Sequence, residues 1–199
     1  MTVYIIRHGE KEKGSHFNTK IKHCDPPLSK NGINQAESLV GFLNNKGIKR
    51  IYASEYIRAQ QTAEPFSRKQ SIDIVVDKRL NEIDNGITET IADEDIERIF
   101  PVFWNDYWSR SRDYRFPGGE TGAEVKERQM SILKEIEDRN ENTVLYSHEG
   151  FIRLLMCNIL GMPVYHRYLF RYDFCGIMEI QNDDEKNGWK VRRFNQITY

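Results

Sequence analysis

The chain of 199 residues has no apolar run near the roughly 20 residues that a bilayer-crossing helix needs. That lack argues against a membrane protein. A signal peptide is not expected either, because Val3-Tyr4-Ile5-Ile6 is too short for an h-region and stops at Arg7. Cysteine is scarce: Cys24, Cys157 and Cys175 are odd in number, widely spaced and without a C-x-x-C pair. They fit reduced thiols in a cytoplasmic protein better than a disulfide framework or a zinc site. Nor is there an excess of charge, since 29 Lys and Arg face 30 Asp and Glu for a net −1. A nucleic-acid binder usually carries a basic surplus. The zincin helix motif, clustered Asp or Cys ligands and a P-loop are missing too, so neither a metal nor a cofactor is expected.

What is present suits one domain over residues 1–199. Hydrophobic residues make up 39% and aromatics 12%, enough to bury a core. The even balance hides a local segregation: residues 1–50 carry nine basic against four acidic side chains, and residues 81–100 one against seven. Such runs are usually solvated faces, so motifs must decide whether the basic part flanks an anion site.

Strand and helix patterns alternate. Val3–Ile6 reads as a buried strand, and Ser29 opens an amphipathic helix with Ile33, Ala36, Leu39, Val40 and Leu43 on one face. Arg50–Ala53 reads as a second strand, followed by a helix with Ser54 as candidate N-cap. Ile72–Val76 is a third apolar run, residues 120–139 a helix, Thr143–Tyr146 a fourth strand, and residues 151–160 a helix ended by Gly161 and Pro163. Two last strands, around Ile177–Ile180 and Trp189–Phe194, are joined by an Asn-Asp-Asp-Glu turn. This alternation predicts an α/β domain with a largely parallel sheet.

Ligand sites in such sheets lie outside the carboxyl ends of the strands. Four corners there carry suggestive chemistry: Arg7-His8-Gly9-Glu10, the stretch from Ser54 through Arg58, Arg79-Leu80-Asn81-Glu82-Ile83, and Ser147-His148-Glu149-Gly150. Taken singly, each has a bland reading as a helix cap, a surface pair or a solvated acid. Together they suit phosphoryl transfer. A neutral imidazole attacks phosphorus well, guanidinium forks hold the equatorial oxygens, and a carboxylic acid, Glu82 or a neighbour, protonates the leaving oxygen.

In order and spacing the motifs resemble the histidine phosphatase superfamily, in its phosphoglycerate mutase-like branch. The R-H-G-E opening lies at Arg7–Glu10, D-x-P-L-[ST]-x-x-G-x-x-Q-A at Asp25–Ala36, and S-x-x-x-R-A-x-x-T-A at Ser54–Ala63. The L-x-E-I corner follows at Leu80–Ile83, P-G-G-E-[ST] at Pro117–Thr121, and S-H-x-G at Ser147–Gly150. The resemblance implies a three-layer α/β/α sandwich with a mostly parallel central sheet. It also implies His8 as the phosphorylated nucleophile, Arg7, Arg58 and His148 as the phosphate pocket, and Glu82 as the proton donor.

The chain departs from that pattern in places. Relatives often have Thr after R-H-G-E and Asn three residues on; here Lys11 and Gly14 stand there, and Asn18 is the expected substitute contact to phosphate. Glu149 replaces a frequent small residue. Three readings are open for it: orienting His148, selecting against extra negative charge on the substrate, or serving as an acid at a helix N-terminus. An insert at about residues 84–119, rich in aromatics and arginines between Phe103 and Arg115, is the expected specificity segment; packing alone also explains its helical spacing. The glycolytic mutases of the family are longer, so the expectation is a phosphatase acting on a small phosphorylated molecule without a metal. A phosphoglycerate mutase-like phosphotransferase and a catalytically decayed phosphate-binding module are the alternatives. Substrate and oligomeric state stay open.

Overall fold

Val3 and Ile5 face one side of a central sheet and Tyr4 and Ile6 the other, and this two-residue period sorts the whole core. The computed structural model describes residues 1–14, 16–183 and 188–199. Its strands are β1 (Thr2–Arg7), the short pair β2 (Phe17–Asn18) and β3 (His23–Cys24), β4 (Arg50–Ala53), β5 (Ile74–Val76), β6 (Thr143–Ser147), β7 (Ile177–Asp183) and β8 (Gly188–Gln196). The helices are α1 (Lys30–Leu43), α2 (Ile57–Gln70), α3 (Asp93–Ile99), α4 (Pro101–Ser109), α5 (Gly122–Arg139) and α6 (Glu149–Ile159). The main sheet has the order β5-β4-β6-β1-β7-β8. Its first four strands are parallel, and β7 and β8 complete it antiparallel.

One side of the sheet packs on α5 and α6, where Val3, Ile5 and Leu145 meet Val125, Ile132, Ile152 and Leu155. The other side packs on α1 and α2, where Tyr4, Ile6 and Val144 meet Leu39, Leu43, Ala63 and Phe66. This is a three-layer α/β/α sandwich with a mostly parallel sheet. All four parallel strands present their carboxyl ends on the same edge, which places the four motif corners together. No helix among the described residues is long and apolar enough to cross a membrane.

Local expectations hold with instructive exceptions. Ser29 caps α1, its hydroxyl accepting from Gly32 N. Ile33, however, is 51% exposed, because Gly32 and Gln35 rather than Ile33 turn toward the loop after β1. Ser54 does not cap α2. Tyr56 holds that position without a side-chain bond, and the Asp25 carboxylate accepts from Ile57 N instead. The third apolar run narrows to the edge strand β5, with Val75 and Val76 exposed. The helix expected from residue 151 begins at Glu149. The turn expected at residues 182–185 reaches outside the described residues. Between residues 84 and 119 lie a short 3-10 turn, α3 and α4. The ends of this segment are tied together by Ile87 N to Pro117 O and Glu120 N to Asp84 O, both 2.9 Å.

Candidate active site

The R-H-G-E corner divides its labour. Arg7 and His8 face a cavity of about 340 Å³ at the carboxyl edge of the sheet, while Gly9 and Glu10 fasten the loop. Gly9 N donates to Thr62 Oγ1 of α2 (3.0 Å) and Glu10 N to Gln35 Oε1 of α1 (2.9 Å). The Glu10 carboxylate accepts from Ser29 Oγ and Asn31 Nδ2. A Cβ on Gly32 would lie 2.0 Å from the Glu10 carbonyl, so only glycine allows α1 to approach this closely. The Gln, Thr and Gly of the neighbouring motifs therefore act on the loop that carries His8.

His8 is 4% exposed, and its Nδ1 lies 2.7 Å from the Gly9 carbonyl. A carbonyl only accepts, so Nδ1 carries the proton and the lone pair of the neutral ring resides on Nε2. Burial, followed by the charge of Arg58, holds His8 well below the ordinary imidazole value. The ring is therefore neutral near pH 7.

Three cations line the same cavity. Arg7 lies over the Phe174 ring at 4.2 Å, donates to the Tyr172 carbonyl and pairs with Glu149 at 3.1 Å. Arg58 lies over Tyr56 at 4.3 Å and reaches Asp25 Oδ1 at 3.4 Å and His148 Nδ1 at 3.3 Å. The Nε atoms of both arginines are buried with no partner. Lys11 is the third, its ammonium pushed below the usual lysine range by burial and by Arg58.

Glu82 lies on the opposite wall, at the start of α6. Its oxygens accept from Ile83 N (2.9 Å), Phe151 N (2.9 Å) and Gly150 N (3.1 Å). A Cβ on Gly150 would sit 2.6 Å from Glu82 Oε1, which explains the glycine of the S-H-x-G corner. Arg128 of α5 fixes the corner from behind by donating to the carbonyls of Arg79, Asn81 and Glu82. Ser147 Oγ adds a bond to Leu80 O at 2.7 Å.

The structure gathers Arg7, His8, Arg58, Glu82 and Glu149 around one cavity. His148 lies just behind the wall, fully buried, with its ring 5.1 Å from that of His8. Its Nδ1 faces the Arg58 guanidinium, which can only donate, so Nε2 carries the proton and donates to Ser54 Oγ at 2.7 Å. Burial and Arg58 keep this imidazole neutral as well. Asn18 corrects the expectation of a phosphate contact. Its amide donates to Asp25 Oδ2 at 2.9 Å and it is not on the cavity wall, which Lys11 lines. Glu149 pairs with Arg7 and Arg153 rather than with His148.

Asp25, Ser54 and Arg128 were missed as supports of the site. A signal existed for Asp25 as the acid that opens the D-x-P-L motif, but the helix it caps, α2, begins 32 residues further along the chain. Nothing local marks Arg128, which acts from about 46 residues away along the chain.

The cavity borders a second of about 410 Å³, the two sharing Glu82, Asn85 and Glu149. Its walls include Phe103, Trp104, Tyr107 and Trp108 of α4, with Phe116, Arg153 and Arg167. A phosphoryl group held at the first cavity could thus extend its remaining body into the second.

Comparisons with known proteins bear on this arrangement. A protein of Proteus mirabilis named "Probable phosphoglycerate mutase GpmB" is 26% identical over 205 residues, covering all of this chain and 94% of that protein. Its namesake in Cronobacter sakazakii is 28% identical over 214 residues, with the same coverage. Among solved structures, Bacillus stearothermophilus YhfR superposes with a TM-score of 0.82 at 25% identity, covering 98% of this chain and 97% of that one. The alpha-ribazole phosphatase of Shigella flexneri gives 0.79 at 24% identity, covering 98% and 96%. The sequence pattern of the histidine phosphatase superfamily (branch 1) matches residues 3–197, and the chain belongs to that family.

Proposed function

We propose that the protein is a phosphomonoesterase that hydrolyses small organic phosphates through a phosphohistidine on His8. The observation that carries this reading is the hydrogen bond from His8 Nδ1 to the Gly9 carbonyl. It leaves the Nε2 lone pair as the nucleophile of a neutral ring among Arg7, Arg58 and Lys11. These cations balance the charge spread over the three equatorial oxygens of the phosphoryl group. In the first half-reaction a bond forms between Nε2 and phosphorus as the ester P–O bond breaks, and the protonated Glu82 carboxyl gives its proton to the leaving oxygen. In the second, Glu82 takes a proton from water, the water oxygen bonds to phosphorus, and the P–N bond breaks to release phosphate. His148 acts through its position, turning Arg58 toward the cavity and being turned in its own right by Ser54.

Hydrolysis is favoured over phosphoryl return because the His8 cavity adjoins the 410 Å³ cavity, which leaves room for water beside the phosphohistidine. The names of the relatives support the mutase as a second reading. Turnover of p-nitrophenyl phosphate in the presence of EDTA, compared with His8→Ala, tests the first. Hydrolysis that persists with EDTA and falls by at least about 1000-fold in the variant is expected from loss of a covalent nucleophile. Unchanged activity in His8→Ala refutes the nucleophile, loss with EDTA refutes the metal-free reaction, and isomerisation of phosphoglycerate faster than its hydrolysis favours the mutase.

A further inference from the structure

Glu149 occupies the neck between the two cavities and lines both of them. One carboxylate oxygen pairs with Arg7 and the other with Arg153, while Glu82, the proposed acid for the leaving oxygen, borders the same passage. A leaving group that extends from His8 into the second cavity runs beside this carboxylate, which lines both. There the wall turns aromatic: Trp104 and Tyr107 lie stacked with planes 13° apart, and Trp108 stands edge-on to both. Tyr107 packs against the core, Trp104 is half-buried, and Trp108 remains 54% exposed, so its ring faces are still open to contact. A chamber of 410 Å³ is within the usual range for organic ligands and far exceeds a three-carbon body.

We propose that Glu149 and the α4 aromatics together select phosphomonoesters whose leaving group is an uncharged aromatic ring, and reject those with a second anion beside the ester. This deepens the phosphatase reading and rests on its placement of the phosphoryl group at His8. Glu149 already holds Arg7 and Arg153 in ion pairs on the leaving-group side, so a carboxylate or second phosphate at the neck competes with it for those guanidinium groups and meets a like charge. A flat neutral ring meets no such penalty and gains contact with Trp104 and Trp108. Replacing Glu149 by glutamine keeps the size, removes the charge and releases two guanidinium groups toward an anionic substrate.

Binding of two non-hydrolysable probes with the same head group tests this without relying on catalysis. Phenylphosphonate carries the neutral ring and 3-phosphonopropionate a carboxylate as the second anion; both are titrated by calorimetry at low and at 0.5 M salt. Wild-type protein is expected to bind phenylphosphonate at least about 10-fold more tightly. Glu149→Gln is expected to shrink that ratio by about 10-fold or more, mainly by tightening 3-phosphonopropionate, and high salt to weaken this gain. Trp104→Ala should weaken phenylphosphonate alone. Equal wild-type affinities overturn the proposal, as does a Glu149→Gln effect of the same size on both probes. If that variant fails to fold, the wild-type ratio still decides. A selective but hydrolytically inert protein sinks the phosphatase reading and leaves the subsite standing; an active but unselective one does the reverse.

Discussion

Lowering the pH from 7.5 to 5.0 is expected to weaken the fold by up to about 4 kcal/mol through two buried histidines. His8 and His148 are 4% and 0% exposed, and burial keeps both well below the ordinary imidazole value. In the unfolded chain each titrates near pH 6.5. As the pH falls through that value the unfolded state takes up protons that the folded state refuses, so stability is intact above it and declines below. The slope is about 1.4 kcal/mol per pH unit for each group, or about 2 kcal/mol per histidine by pH 5.0. Carboxylates held low by their partners, such as Asp77 with Arg79 and Glu135 with Arg79, lose their contribution only at lower pH. The window between 5 and 6.5 therefore isolates imidazole. Urea unfolding at the two pH values, on wild type and on His8→Gln/His148→Gln, reads the effect. The double variant should lose less than wild type over the same interval, by up to about 4 kcal/mol. An equal loss in both proteins would refute the account of these rings as neutral and desolvated.

Three further outcomes follow from the geometry. Gly150→Ala drives a Cβ to 2.6 Å from Glu82 Oε1, so kcat on an alkyl phosphate should fall by about 100-fold, and on p-nitrophenyl phosphate by much less, because nitrophenolate leaves unprotonated. Asp25→Ala removes both the cap of α2 and the carboxylate beside Arg58; denaturant melts should show a loss of about 3 kcal/mol, roughly 1 from the cap and the rest from the uncompensated guanidinium. The acid limb of kcat/KM should lie below pH 6.5, since the nucleophile keeps its lone pair into mildly acidic solution, and a limb above 6.5 contradicts the desolvation of His8.

Features that depend on local period or local chemistry were legible in the sequence. The apolar run of β1 and the face of α1 follow from spacing, and the four corners fall together because parallel strands share one carboxyl edge. What escaped depends on partners distant along the chain. Ser54 looks like a cap, yet its hydroxyl serves His148, 94 residues away. Asn18 has the right chemistry for phosphate, but Asp25 reaches its amide first. Lys11 was seen only as a departure from the Thr of relatives, and its cavity position depends on a backbone bridge to Leu28. Glu149 kept three readings open until the positions of Arg7 and Arg153 were known. The 84–119 segment revealed its helical period but not that Trp104 and Trp108 would stay partly uncovered.

The close approach of Gly32 to the Glu10 backbone means that α1 has no freedom to slide without carrying the loop that holds His8. Gln35 grips the same loop one turn later, while Leu39 and Leu43 anchor the far half of the helix in the core. The helix thus works as a lever with its load at His8. A packing change at Leu43, more than 30 residues from the motif, is therefore expected to displace the His8 ring even where the protein stays folded.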